Sequence, residues 1–347
     1  MAKINPKLGK KLTAYGAVNF NACYNCGTCT AVCSLSTKED SFPRTMVRCG
    51  VAGMDDEIKS SLKPWLCYYC GECTSNCPQT ANPGELMMAL RRYLTAQYDW
   101  TGLSGLLFKS LPFSIGAFLL VIAGVIAYSF SVGFNQDTLI HVGHYFEMFA
   151  IGGVLVFILM PNIIRMWWFT IVKPKKKAPI SIYIRSIGEF FTAMFTQKRA
   201  LDCEDNRVRW FEHLILVIGY LALLFTTVFL DWFATNNLII ITFGYIVSAI
   251  VFAVTIIFVT DRIKKTKELS KFSHHSDWFF VIGLFLMGFT AFLVRLFIDS
   301  GLLESNFWLY ILHLTVLALW ALIIVPFGKW THFLYRSFAM YFHKIGN

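Results

Sequence analysis

The chain has 347 residues and is 56% hydrophobic but only 15% charged, with 33 phenylalanines. That is too apolar for an ordinary soluble protein and points to membrane spans. The formal net charge of +10 does not argue for nucleic acid, because the lysines and arginines gather at the ends of apolar runs, where a membrane protein carries them.

The first hundred residues hold nine of the ten cysteines. The opening stretch MAKINPKLGKKL lacks the apolar core of a secretory signal, so the cysteine-rich part is expected in the cytoplasm. In that reducing compartment cysteines read as metal ligands and not as disulfides. Two blocks repeat the spacing C-x2-C-x2-C-x3-C: CYNCGTCTAVCS, with Cys23, Cys26, Cys29 and Cys33, and CYYCGECTSNCP, with Cys67, Cys70, Cys73 and Cys77. Three thiolates three residues apart wrap one face of a cubane, and the fourth falls on the next turn, aimed elsewhere. In two-cluster ferredoxins that fourth cysteine binds the other cluster. The expected ligand sets are therefore Cys23, Cys26, Cys29 and Cys77 for one 4Fe–4S cluster, and Cys67, Cys70, Cys73 and Cys33 for the other. Zinc explains the pattern poorly, since its sites use two separated C-x2-C pairs. Cys49 and Cys203 lie outside the blocks and read as small hydrophobes.

Between the blocks, Ser41 before Pro43 and the run Asp55, Asp56, Glu57 mark helix starts. No alternating strand pattern is present, and a helix is expected over 83–98. The fold class expected is all-α: a helical ferredoxin-like domain over 1–100, then a six-helix transmembrane bundle of cytochrome b type over 101–347. The spans are read at 112–133, 143–169, 211–234, 237–260, 277–298 and 306–327. The loop after the second span carries Lys173, Lys175, Lys176, Lys177, Arg185, Lys198, Arg199, Arg207 and Arg209. The loop after the fourth carries Arg262, Lys264, Lys265, Lys267 and Lys271. The other three loops contain no Lys or Arg, so both termini are expected in the cytoplasm, with the chain in the inner membrane. The stretch 180–195 mixes apolar residues with Arg185 and Glu189 and reads either as an interfacial amphipathic helix or as a plain connector.

Ionisable side chains inside spans are costly and usually functional, which singles out the histidines as haem ligands. His213, at the inner end of span three, and His332, after Pro326 on span six, can face each other at one depth. His313 lies about five turns further out. An outer site would pair it with His144 or His141, which share one face of span two. Two imidazoles saturate haem iron, leaving one-electron chemistry only. Arg295, near the outer end of span five, is read as a partner for outer-haem propionates. Glu147, one turn from His144, is a candidate proton acceptor in quinol oxidation. His274 and His275 are either headgroup-level residues or quinone or propionate contacts.

The segments FNACYNCGTCTAVCS, FPRTMVRCG, PWLCYYCGECTSNCP and LRRYL resemble the C subunit of heterodisulfide reductase. Residues 205–336 resemble its E subunit and the gamma subunit of respiratory nitrate reductase, in which histidine, Pro-Phe and a second histidine follow one another as His313, Pro326, Phe327 and His332 do here. Joined in one chain, the two halves resemble the membrane subunit of quinone-interacting (Qmo) oxidoreductase complexes. That resemblance implies two b haems, menaquinone as substrate, flavin/iron–sulfur partners of the heterodisulfide reductase A type, and a link to adenylylsulfate reductase in sulfur metabolism. In one respect the chain departs from the gamma family: Leu223 stands where a second span-three histidine is expected, so an outer haem must draw a ligand from span two or be absent, and one or two haems are expected. A heterodisulfide reductase-like complex is the alternative assignment, and a membrane redox sensor a more distant one. The chain shows no Gly-rich dinucleotide loop, so flavin chemistry would belong to partners.

Overall fold

In the computed structural model the described residues are 4–198, 201, 207–265 and 268–346. Arg199, Cys203 and Lys267, singled out above, lie outside them. Among the described residues every regular element is helical, as the missing period-2 pattern requires.

The N-terminal part is built from short helices: α1 (Leu8–Ala14), α2 (Thr28–Ala31), α3 (Arg44–Val51), α4 (Asp55–Ser60), α5 (Lys63–Leu66), α6 (Glu72–Ser75), α7 (Pro83–Tyr98) and α8 (Leu103–Lys109). The sequence signals act as expected. Pro43 precedes α3, and three acids occupy the first turn of α4, where they oppose the helix dipole. Helix α7 starts with Pro83 behind a left-handed Asn82, the position where a missing N–H costs nothing. It stops at Asp99, whose carboxylate accepts from the backbone N–H of Thr101 and, at 2.7 Å, of Ser104, turning the chain into α8.

Among the described residues six helices are long and apolar enough to cross a membrane: Leu111–Ser131, Gln136–Val172, Arg207–Phe229, Leu238–Lys264, His275–Asp299 and Trp308–Gly346. Spans five and six are central, with half of the span-five window buried against 6% for span one. Span three stops at Phe229, short of the expected 234, because Asp231 turns left-handed. Trp232 then folds back, fully buried, against Gly244 of span four. Span six contains a π-helical turn at Trp320–Ile324 and is interrupted at 328–330 before the last helix, Thr331–Gly346. The stretch 180–195 forms two short helices that expose Ile180, Ile184, Ile187, Phe191 and Phe195.

The two halves share one core. Leu8, Leu12, Val47, Ile58, Trp65, Leu90 and Leu94 pack in the same cluster as Met166 and Ile171 of span two and Tyr335, Ala339 and Phe342 of the last helix. Trp65, Tyr98 and Tyr335 stack at its centre, with Trp65–Tyr335 ring centroids 5.4 Å apart. Arg165 of span two donates to the carbonyls of Tyr98 (2.9 Å) and Gln97 (3.0 Å), a cation on the C-terminal dipole of α7. The π-helical turn Val154–Leu159 presents the Phe157 carbonyl to Trp100 Nε1 at 2.9 Å.

Candidate redox centres

Each cysteine block folds in the same way. Asn25 and Gly27 in the first, and Tyr69 and Gly71 in the second, take left-handed conformations, bending the chain so that successive thiols turn inward before α2 and α6 begin. The glycines carry φ of 90° and 96°, values that cost Gly no Cβ clash. Cys29 has Cys23, Cys26 and Cys77 as its thiol neighbours. Cys73 has Cys67, Cys70 and Cys33. The structure therefore brings together the two crossed quartets expected from the spacing. Among the described residues no three His, Cys, Asp or Glu side chains close around a single ion. Burial pushes the Cys33 thiol up to about 11 and also raises Cys29, Cys67 and Cys73, so ligation there must displace protons. Exposed Cys26 is held below its ordinary value, first by its hydrogen bond with Thr28. Cys49 is buried in the apolar core.

The quartets differ in setting. The first lies at the surface, where Cys26 is exposed and Tyr24 is 58% exposed. The second faces the membrane half, where Cys67 and Tyr68 are buried. Arg91 donates to the carbonyls of Pro64 and Cys67. Arg209 of span three donates to the Tyr69 carbonyl at 2.9 Å. Arg336 of the last helix lies 4.6 Å over the Tyr68 ring.

Directly beneath is a cavity of about 280 Å³ lined by His213, His332, Tyr220, Phe280, Leu216 and Trp330. The His213 and His332 ring centroids lie 6.2 Å apart, with the ring planes inclined at 64°. Metal–imidazole bonds are about 2 Å long, so rings on opposite sides of one iron need centres about 6 Å apart. The second nitrogens are occupied: His213 Nδ1 lies 2.6 Å from Gln197 Oε1, and His332 Nδ1 lies 2.6 Å from the Lys329 carbonyl. A carbonyl acceptor keeps the proton on Nδ1 and leaves Nε2 as the ligating atom. Arg91, Arg209, Arg262, Lys329 and Arg336 also line the cavity, so apolar walls for a porphyrin are combined with cations for its propionates. Glu212 Oε2 lines it too, without a hydrogen-bond partner among the described residues. The residues present fit a bis-imidazole haem.

The outer site does not fit one. His313 is buried, its Nδ1 lies 2.8 Å from Thr290 Oγ1, and the Phe233 ring sits 5.5 Å away. Span two presents Leu139 and Gly143 to span six, with Gly143 closed against Tyr310 and Leu314. His144 lies about 100° around that helix and His141 about 160°, and both are exposed. Leu223 is buried in the bundle core. Arg295, expected at haem propionates, is instead 2% exposed and fully engaged. It pairs with Asp299 at 2.6 Å and donates to the Trp232 and Thr235 carbonyls, tying down the loop after span three. The structure thus does not bring His144 or His141 to His313.

The quinone candidates also have other contacts. His275 Nε2 donates to the Leu107 carbonyl at 2.8 Å. His274 caps span five and stacks on His275 at 4.0 Å. Glu147 is half-buried and faces Thr227. Sequence reasoning missed Asp277. It is buried at the head of span five, 2.7 Å from Lys329 Nζ and 3.3 Å from Arg92 of α7. An acid among the first residues of an apolar run was its only signal.

Residues 22–82 match the family model of a 4Fe-4S dicluster domain. The N-terminal part is an iron–sulfur electron-transfer domain. Over 97 residues the chain is 27% identical to a protein of Archaeoglobus profundus that is similar to the C subunit of heterodisulfide reductase, an alignment covering 28% of this chain and 52% of that relative. The chain thus spans about half the length of the curated relative it matches. No solved structure matches it. With its six candidate spans, the chain is a multi-pass membrane protein carrying an iron–sulfur electron-transfer domain, and that domain is similar to this relative.

Proposed function

We propose that this chain is the membrane subunit of a quinone-interacting oxidoreductase, passing electrons between menaquinol and flavin/iron–sulfur partners, towards adenylylsulfate reductase. The observation that carries the haem part is the His213–His332 pair, 6.2 Å apart with both Nδ1 atoms occupied. When bound, a bis-imidazole haem and two 4Fe–4S clusters supply one-electron chemistry between a two-electron quinol and the partners. His213 and His332 hold the haem, Gln197 and the Lys329 carbonyl fix their tautomers, and the cavity cations neutralise its carboxylates. Cys67, Cys70, Cys73 and Cys33 hold the cluster above that cavity. Cys23, Cys26, Cys29 and Cys77 hold the cluster at the surface, where a partner can reach it. The basic span ends lie on the iron–sulfur side, where Lys173 pairs with Asp56; on the positive-inside rule this supports a cytoplasmic location for that domain and both termini.

A membrane subunit of a heterodisulfide reductase-like complex is the second reading, favoured by the identity to a relative of the heterodisulfide reductase C kind. Affinity purification from native membranes decides between them. Flavoprotein subunits with adenylylsulfate reductase support the first; a thiol–disulfide catalytic subunit establishes the second. If a menaquinol analogue fails to reduce the haem-loaded chain, the quinone assignment falls.

A further inference from the structure

The two cysteine loops have the same backbone and unlike surroundings. Tyr24 and Tyr68 occupy equivalent places in CYNC and CYYC, yet Tyr24 is 58% exposed and Tyr68 is 7% exposed under the Arg336 guanidinium. Asn25 and Tyr69 are the equivalent left-handed residues, and the Tyr69 carbonyl takes the Arg209 N–H at 2.9 Å. The carbonyl of Cys67, a ligand itself, takes Arg91. Three guanidinium groups from three elements thus converge on residues 67–69, and two of them come from the membrane half. Arg91, Arg336 and Arg209 are also the cations acting on the Cys67 thiol. The surface loop has Arg44 near Gly27 and Cys26, a partly exposed cation that water screens. Glu72, the acid inside the second block, is itself exposed.

Reducing a 4Fe–4S cluster adds one electron and one negative charge while its thiolates stay in place. Nearby positive charge in a low-dielectric setting stabilises the reduced form. Resting on the cluster assignment above, we propose that Arg91, Arg209 and Arg336 set the reduction potential of the membrane-facing cluster above that of the surface cluster. A single electron shared between the two clusters then rests on the Cys33, Cys67, Cys70 and Cys73 side, next to the cavity, and not at the partner-facing surface. The arginines act as positioning residues: they touch the loop that carries the cluster and move no electron themselves.

The test is a potentiometric titration of the full chain in detergent with one-electron mediators, followed by electron paramagnetic resonance. Two one-electron steps are expected in the cluster signals. Arg209→Gln lowers the upper step, changing its reduced-to-oxidised ratio about tenfold at fixed potential, about 59 mV for one electron, and leaves the lower step in place. Arg209→Lys restores most of the shift, and Arg336→Gln moves the same step in the same direction. A variant that moves only the lower step, moves both alike or moves neither overturns the proposal. Loss of the upper signal in both Gln variants marks the arginines as structural clamps and also overturns it. A wild-type chain with no cluster signal overturns the underlying cluster assignment instead.

Discussion

Asp277 and Lys329 form an ion pair of 2.7 Å at the seam between the iron–sulfur domain and the bundle. The same carboxylate bonds Arg92 of α7, whose Nη1 donates to the Tyr15 carbonyl at 2.7 Å. The Lys329 backbone carbonyl, in turn, holds His332. One residue therefore links the cluster domain, the head of span five and a candidate haem ligand.

Removing that carboxylate leaves Lys329 and Arg92 at the seam without the anion they share. Breaking a buried pair by deleting one member typically costs about 3–5 kcal/mol. Asp277→Asn is expected to destabilise the chain by that order and to expose the α7–α8 connection to protease. Thermal unfolding with limited proteolysis checks it; unchanged melting and cleavage would show that the pair contributes nothing net.

The haem assignment predicts unequal histidine phenotypes. His213→Ala and His332→Ala should each abolish b-type absorbance in the purified chain. His141→Ala and His144→Ala, on the exposed side of span two, should leave it intact, and a pyridine haemochrome assay should find about one haem per chain. A second haem lost with His144 would restore the outer site.

The crossed quartets predict paired losses. Cys77→Ser should remove the same cluster as Cys23→Ser, and Cys33→Ser the same one as Cys67→Ser, each lowering iron from about eight to about four atoms per chain. Iron analysis with electron paramagnetic resonance reads this out. Pairing within each block, Cys33 going with Cys23, would be the contrary result.

Glu85, in the first turn of α7, is 3% exposed, and its Oε1 lacks a hydrogen-bond partner among the described residues. Burial pushes its carboxyl up to about 7, with Arg92 pulling it back and Asp277 adding to the rise. A raised folded-state value means that the folded protein holds the proton more tightly than the unfolded one. Its stabilising contribution is full below the ordinary carboxyl range and is lost as pH rises through about 7. Glu85→Gln should therefore raise stability at pH 8, by up to about 3 kcal/mol, and give little gain near pH 4. Melting curves of both proteins across that range decide it; a gain independent of pH would exclude titration of Glu85 as the cause.

Arg295 offers a contrast. Arg295→Leu should loosen the 230–236 loop, cost about 3 kcal/mol or more by orphaning buried carbonyls, and leave the haem spectrum unchanged. A spectral shift would return it to an outer cofactor site.

The sequence by itself determined the cluster chemistry, the helical class and the basic sides of the spans. Each rests on local spacing: thiols three residues apart, apolar runs of membrane length, charges counted loop by loop. It also placed His213 and His332 at one depth, because rise per residue is fixed along a helix. Rotation about the helix axis and burial are set by packing, and only the tertiary structure decided them. That is why His141 and His144, equally good on spacing, turn out to be exposed on a face that Gly143 and Leu139 set by packing inward. Arg295 is likewise spent on a loop that sequence could not fold over it. The two cluster loops, nearly identical as sequence, acquire different charge environments only when Arg91, Arg209 and Arg336 converge from three separate helices.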